Sequence, residues 1–302
     1  MTASRPPGAE QHGTMSCLPL PPDLVEGLGA ERATPIGGGD TAAAFRLDTA
    51  RGPLFAKTVA DPPAGTMAVE VAGLRALREH APGLLGVPEV VRWSDDGIVL
   101  EWIEEAARRP AGADAAFGRC LAALHRVHGE AFGALDPGLP GRIGSSGLDM
   151  SPTDDWAAFL LDGRIRPLMR AAVEAGRIAP RAAELLEDLA PRARELAGPE
   201  EPPTLVHGDL WTGNRLVDVH GRNWLVDPSA YWGHREGDLA MMLLFGGFGE
   251  ECLAAYAAEH PLAPGWEARV PWYQLPPLLV HAVRFGGGYG SAATSALLRL
   301  RG

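Results

Sequence analysis

Two brief apolar runs, Leu205-Val206 and Trp224-Leu225-Val226, bracket the polar segment His207-Gly208-Asp209-Leu210-Trp211-Thr212-Gly213-Asn214, and the second run leads into Asp227-Pro228. Read as short strands, the runs fix a loop between them and set Asp227 at a strand end facing that loop. On either side the chain changes character. From Ala33 to Val59 it reads as short extended runs broken at Gly37-Gly38-Gly39 and at Thr49-Ala50-Arg51-Gly52, the pattern of three antiparallel strands. Thr66 to His80 places Met67, Val71, Leu74 and Leu77 on one helical stripe, ended by Pro82-Gly83. Two further runs, Glu89 to Trp93 and Gly97 to Ile103, flank Ser94-Asp95-Asp96-Gly97, whose Asp-Gly step suits a hairpin turn.

After Glu104-Glu105 the composition shifts to Ala, Leu and Arg, with helical periods over Ala113 to His125, Trp156 to Met169, Arg181 to Leu196, Asp238 to Phe245, Glu250 to Ala258 and Leu278 to Phe285. The expected fold is α+β and two-lobed. A small N-lobe of five antiparallel strands and one main helix spans 18–103, and a larger, mainly helical C-lobe spans 104–302. Residues 1–17, rich in Pro, Gly and polar side chains, are expected to be disordered.

Composition narrows the function classes. A formal charge of -11 argues against a nucleic-acid partner, since phosphate backbones are held by basic surfaces, and it tolerates metal ions and amines. No run of about 18 apolar residues and no signal-peptide pattern is present, so a cytoplasmic protein with no membrane partner is expected. Cys17, Cys120 and Cys252 are scattered and odd in number, fitting neither a disulfide framework nor a zinc site.

Phosphoryl transfer from ATP needs a carboxylate to orient and deprotonate the attacking hydroxyl, and hard oxygen ligands to hold Mg2+ against the phosphates. Asp209 fits the first role, and Asn214 with Asp227 the second; the five-residue interval from Asp209 to Asn214 is that of the protein-kinase catalytic loop. Isolated Asp and Asn residues usually shape turns. Three oxygen donors at this spacing, with His207 two residues before the base, point instead to catalysis, and His207 itself reads as a brace of the backbone.

In the N-lobe, Lys57 shares a strand face with Phe55 and Val59, and Glu70 shares the apolar helix face of Leu74 and Leu77. A carboxylate on that face needs a cation, and Lys57 is the natural partner, giving the ion pair that positions ATP phosphates. The turn holding Gly38, Gly39 and Asp40 could bring backbone amides to those phosphates, although triple glycine is most often only a flexible turn. Glu101, Trp102 and Ile103 read either as a hinge whose backbone binds adenine or as a simple strand end.

These residues together resemble the fructosamine kinase (ketosamine 3-kinase) family, within the aminoglycoside-phosphotransferase-like and protein-kinase-like folds. The resemblance is carried by Gly38-Gly39-Asp40, Phe55-Ala56-Lys57, Glu70 with Gly73-Leu74, Val87-Pro88, Leu100-Glu101, Leu121 to His125, Asp155 to Phe159, and His207 to Asn214. It continues through Asp227 to Met241, Tyr273-Gln274-Leu275 and Leu278 to His281, leaving out the first residues up to about Leu18 and parts of 171–197. Trp211 and Gly233-His234-Arg235-Glu236 look like this family more than like aminoglycoside or choline kinases. Thr41 and Ala42 depart from the usual pattern of the glycine turn.

The resemblance implies ATP-dependent phosphorylation of the O3 hydroxyl of a ketoamine, a fructosamine, ribulosamine or erythrulosamine adduct of a protein lysine or small amine. The unstable 3-phosphate then eliminates, which amounts to deglycation. Trp211 offers a flat ring for a sugar's C–H face, or fills core. His234 and Glu236 either line the substrate pocket or form a local brace, and Asp238 is expected to cap the helix starting at Leu239 or to tie down the catalytic loop. About ten residues separate Asp227 from that helix, too few for the long activation segment of protein kinases. Two other readings stay open at this stage: a kinase of another hydroxylated amine, such as an aminoglycoside or choline, and a non-catalytic nucleotide-binding module.

Overall fold

The computed structural model describes residues 20–37, 42–143 and 146–301. The expected disordered segment and the turn at Gly38, Gly39 and Asp40 fall outside those residues. A short helix α1 (Pro22–Val25) leads into strands β1 (Ala30–Ile36), β2 (Ala43–Thr49) and β3 (Gly52–Thr58). Helix α2 (Thr66–His80) follows, then a two-residue strand β4 (Leu85–Gly86) and the hairpin β5 (Val90–Ser94) with β6 (Gly97–Glu101). The sheet is antiparallel throughout in the order β1-β2-β3-β6-β5. Ser94 pairs with Gly97 across the Asp95-Asp96 turn, where the sequence places it.

Alternation along β3 splits its two faces. Ala56 packs with Leu24, Phe45, Leu47 and Val99 under α1, while Phe55 and Val59 face the α2 stripe of Met67, Val71, Leu74 and Leu77. Each of those four helix side chains is almost fully buried, an arrangement worth about 1.5–3 kcal/mol per side chain. The same cluster continues into the second lobe through Phe117, Leu121, Leu205, Leu210 and Leu239. One apolar core thus ties the α2 helix to the loop-bearing strands. A second tie was not expected from sequence: β4 pairs in parallel with a C-lobe strand, Leu85 against Asn223.

The C-lobe opens with α3 (Ala113–Leu124), then a small β7 (Arg142–Ile143) and β8 (Ser146–Gly147) pair. Next come α4 (Trp156–Ala158), a π-helical turn over Phe159–Ile165, and α5 (Arg166–Glu174). Helices α6 (Pro180–Leu189) and α7 (Ala193–Ala197) precede β9 (Thr204–Val206), β10 (Arg215–Val217), β11 (Asn223–Leu225) and β12 (Tyr231–Gly233). Five helices complete the chain: α8 (Glu236–Phe245), α9 (Glu250–Glu259), α10 (Trp266–Tyr273), α11 (Leu275–Phe285) and α12 (Tyr289–Arg301).

Two of these, α10 and α12, escape the sequence periodicity. Pro271 sits inside α10, and the buried face of α12 is made of the small residues Gly290, Ala293 and Ala296 over most of its length, with Leu297 and Leu300 only near its end. Among the described residues no helix is long and apolar enough to cross a membrane.

Candidate active site

The β10–β11 hairpin pairs Arg215 with Leu225, so Asn214 and Val226 face each other just beyond its open end, and the Val226 amide donates to the Asn214 carbonyl at 3.0 Å. That register brings the end of the polar loop beside Asp227. The loop's start is fixed by the pairing of β9 with β12, Val206 opposite Tyr231. Between them Gly208 adopts φ +79°, and a Cβ there would lie 2.1 Å from the Ser229 carbonyl oxygen, so no other residue fits this turn.

The expected site residues then fall into a connected set. Asn214 donates its side-chain amide to Asp209 Oδ2 at 3.0 Å and to the Asp209 carbonyl at 2.8 Å. Lys57 Nζ lies 2.7 Å from both carboxylate oxygens of Glu70 and 2.5 Å from Asp227 Oδ1. Burial works to lower the Lys57 pKa, but the Glu70 and Asp227 carboxylates outweigh it and keep the ammonium charged. Burial tends to raise the Asp227 carboxyl as well; Lys57 reverses the direction and holds it below the usual carboxylate value.

Asp227 has φ +54°, a left-handed backbone rather than the extended one that a residue before proline normally takes. Such a conformation costs on the order of 1–3 kcal/mol in a non-glycine residue and turns the carboxylate into the cleft against Lys57. Asp209 behaves oppositely. Burial first, and the nearby Asp227 second, push its carboxyl up to about 7, which suits a proton acceptor working at neutral pH.

His207 is a brace, as its sequence position suggests. It is fully buried; Nε2 pairs with the Val226 carbonyl at 3.0 Å, Nδ1 accepts from the Asp209 amide at 3.3 Å, and burial keeps the ring neutral. Of the two roles expected for Asp238, the structure shows the tie to the loop and not the helix cap. Helix α8 begins at Glu236, and the Asp238 carboxylate, 1% exposed, reaches back to accept from the His207 amide at 2.7 Å and the Gly208 amide at 2.9 Å. His125 Nε2 lies 3.3 Å from the same carboxylate, with Tyr256 behind it at 2.9 Å from His125 Nδ1. His125 belongs to the Leu121 to His125 stretch that carries the family resemblance, but its partnership with Asp238 is not signalled by the sequence, and Tyr256 is an isolated residue on a distant helix.

Trp211 does not fill core. It is 38% exposed, its ring lies over Gly213, and it meets the Phe245 ring edge-on at 6.0 Å, forming a flat wall beside Asp209. His234 and Glu236 are not brought to that wall. Both are buried: His234 lies between Trp156 and Tyr273, and Glu236 is paired with Arg269 at 2.9 Å. Neither lines the cavity that Asp209 shares with Trp156, Tyr231, Met241 and Tyr273. Of the two roles that their sequence position allows, the brace is the one these contacts favour.

Glu101, Trp102 and Ile103 lie at the end of β6, on the strap that reaches the C-lobe where the Ala106 amide donates to the Val217 carbonyl at 2.9 Å. Glu101 accepts from the Glu89 amide at 3.2 Å, and Trp102 Nε1 donates to Glu104 at 2.9 Å.

Among the described residues no group of three His, Cys, Asp or Glu side chains forms a closed metal cage. The donors present, a cleft-facing Asp227 carboxylate and the Asn214 amide, fit a Mg2+ ion, which keeps several waters and takes one or two protein ligands together with phosphate oxygens.

The fructosamine kinase family model matches residues 23–301. A Lactiplantibacillus plantarum protein named as a probable ketoamine kinase is 33% identical over 276 residues, covering 89% of this chain and 94% of that protein. A protein of Oryza sativa subsp. indica named protein-ribulosamine 3-kinase, chloroplastic, is 31% identical over 270 residues, with coverage of 87% and 76%. Among solved structures, a Thermobifida fusca protein assigned as a fructosamine-3-kinase superposes with a TM-score of 0.82 at 36% identity, over 92% of this chain and 96% of that one. An aminoglycoside phosphotransferase in complex with AMP-PNP and hygromycin B shares the fold at 18% identity, with a TM-score of 0.59 over 92% and 95% of the two chains. The two-lobed α+β architecture is therefore the protein-kinase-like one.

Proposed function

The chain belongs to the fructosamine kinase family, and from that premise we propose that it transfers the γ-phosphoryl group of ATP to the O3 hydroxyl of a ketoamine. The observation that carries this reading is Asp209: a carboxylate tuned to about 7, held by Asn214 and flanked by the exposed Trp211 at the mouth of a cavity. The acceptor hydroxyl gives its proton to Asp209 as its oxygen bonds to the γ-phosphorus, and the bond from phosphorus to the ADP oxygen breaks. Lys57, locked between Glu70 and Asp227, orients the nucleotide phosphates. Asn214 and Asp227 would hold Mg2+, which neutralises phosphate charge when bound. Trp211 packs on the sugar's C–H face, and the backbone of 101–103 meets adenine. The acceptor is a fructosamine, ribulosamine or erythrulosamine adduct of an amine or protein lysine, and elimination of its 3-phosphate would release the carrier.

A substrate panel of fructosamine, ribulosamine, choline and an aminoglycoside, with ADP release measured, tests the reading. Turnover of a ketoamine with phosphate on O3 is expected; turnover of choline or the aminoglycoside alone would overturn it. The phosphate-positioning role has its own test. Lys57→Met should lower kcat/KM for ATP on the order of 100-fold, the effect of deleting one preorganised charge at a transferring group. It should also cost roughly 3 kcal/mol in denaturant unfolding, because the buried Glu70 loses its only cation of the triad. Unchanged ATP kinetics would refute that role.

A further inference from the structure

The cavity below the catalytic loop contains a buried cation that phosphoryl transfer does not use. Arg164, on the π-helical turn, is 2% exposed and lines the same cavity as Asp209. Its Nε and Nη1 have no hydrogen-bond partner among the described residues. The guanidinium lies over the Tyr231 ring at 3.9 Å and 5.7 Å from the Phe159 ring, contacts that hold a cation but accept none of its in-plane N–H groups. Burial lowers its pKa, as expected where no carboxylate repays the lost hydration.

The other buried arginines are satisfied. Arg215 donates to Asn223 and Asp114, Arg235 to Glu201 and to two carbonyls, and Arg269 to Glu236. Leaving donors unpaired is costly, so Arg164 reads as a group whose acceptors arrive with a ligand. Exposure orders the charged groups of the lining. Asp209 is half-buried beside the exposed Asp227 and marks the mouth; the buried Asp238 carboxylate is taken up by the His207 and Gly208 amides and by His125; and Arg164, 2% exposed among Trp156, Tyr231 and Tyr273, has no carboxylate paired to it.

We infer that Arg164 is a specificity-determining residue of the acceptor site: its guanidinium donates to hydroxyl oxygens of the sugar tail beyond the phosphorylated carbon, so the sugar enters tail-first and the amine stays at the mouth. This rests on the ketoamine reading above. A ketoamine has an oxygen-rich tail and a protonatable amine at opposite ends. The inner guanidinium attracts the first and repels the second, while the acidic mouth does the reverse. With the amine outward past Trp211, the cavity sets no limit on the size of its carrier, and a glycated lysine side chain on a protein surface fits as well as a small amine. A cationic group carried on the inner end of an acceptor is rejected.

The test pairs acceptors with the enzyme and an Arg164→Met variant. Two ketoamines of one amine are used, one with a six-carbon and one with a four-carbon sugar, and kcat and KM are measured with ATP saturating. The expected result is a 10- to 100-fold loss of kcat/KM on the six-carbon acceptor, mostly in KM, with less than about threefold on the four-carbon one and an unchanged KM for ATP. Arg164→Lys should restore part of the loss. Equal losses on both acceptors would mean that Arg164 only supports the fold, and would overturn the inference.

Because the variant could fail to fold, a third acceptor is tested on the unaltered protein: the six-carbon ketoamine with its terminal hydroxyl replaced by an amino group. It should be at least tenfold poorer than its parent, and equal or better turnover would also overturn the inference. If no ketoamine is turned over by the unaltered enzyme, the function reading falls and this one with it. If ketoamines turn over without tail dependence on Arg164, only this one falls.

Discussion

Asp209→Asn is expected to lower kcat by about 10³-fold or more while ATP still binds with near-normal affinity, the loss that follows from removing a positioned base with its shape kept. The amide keeps an oxygen for the Asn214 hydrogen bond but cannot take a proton from the acceptor. Steady-state kinetics and a nucleotide-binding titration check the two halves; unchanged turnover would remove Asp209 as the base. The unaltered enzyme carries a matching pH signature. A base whose carboxyl sits at about 7 must lose its proton before it can act, so kcat/KM should climb as pH rises through that value and level off above it.

The same carboxylate should weaken the fold. Its folded pKa is raised, so the native state holds the proton more tightly than the unfolded chain does. Stability then falls as pH rises from the ordinary carboxylate value of 3.8 towards 7, and stays low above that. Asp209→Asn removes this charge. With no nucleotide present, the variant should be more stable than the parent at pH 8 by about 2 kcal/mol, a figure discounted for partial solvent access, and the gain should vanish near pH 3. Denaturant melts at both pH values decide it; a variant that is dead and also less stable at pH 8 would mean that burial and Asp227 do not burden this site. Stability lost for activity at one carboxylate is a familiar compromise in enzymes.

Asp238→Ala should be the most damaging substitution for the fold. It leaves the His207 and Gly208 amides and the His125 ring without their shared acceptor in a sealed interior, and should cost about 3–5 kcal/mol in unfolding free energy. Asp238→Asn is the sharper experiment. Its amide oxygen can serve one loop amide, but its NH2 group then faces the other, so the loop shifts while the core stays filled. We expect about 10²-fold lower kcat with little change in ATP affinity, since a small misplacement of the base costs rate rather than nucleotide binding. Burial alone would raise the Asp238 carboxyl, and the bonds from His125 and the loop bring it below its usual value. Its stabilising contribution is therefore present above the normal carboxylate range and is lost as pH falls through it. Near-normal kcat in Asp238→Asn would show that the loop holds its geometry without this anchor.

The fold was readable wherever local chain geometry decides it. Helix α2 appears over Thr66–His80, as its apolar stripe indicates, and the β5–β6 hairpin turns at Asp95-Asp96. What escaped were elements whose burial comes from distant neighbours. The π-helical turn at Phe159–Ile165, the proline-containing α10, the small-residue face of α12 and the cross-lobe strand β4 have no periodic signature of their own.

Within the site, the sequence by itself singled out the residues of the proposed reaction centre. Asp209, Asn214 and Asp227 sit on one loop and one hairpin, and Lys57 and Glu70 on adjoining elements of one lobe, so their residue types and spacing already imply a base, a metal pair and a phosphate cation. The tertiary structure alone decided who supports that centre and what surrounds the acceptor. It drew Asp238 and His125 beneath the loop, buried His234 and Glu236 away from the cavity lining, and set Arg164 within that lining. The physical reason is separation along the chain. Spacing within a loop or hairpin constrains neighbours a few residues apart, whereas the meeting of Arg164 with Tyr231, or of His125 with Asp238, exists only after the helices have packed.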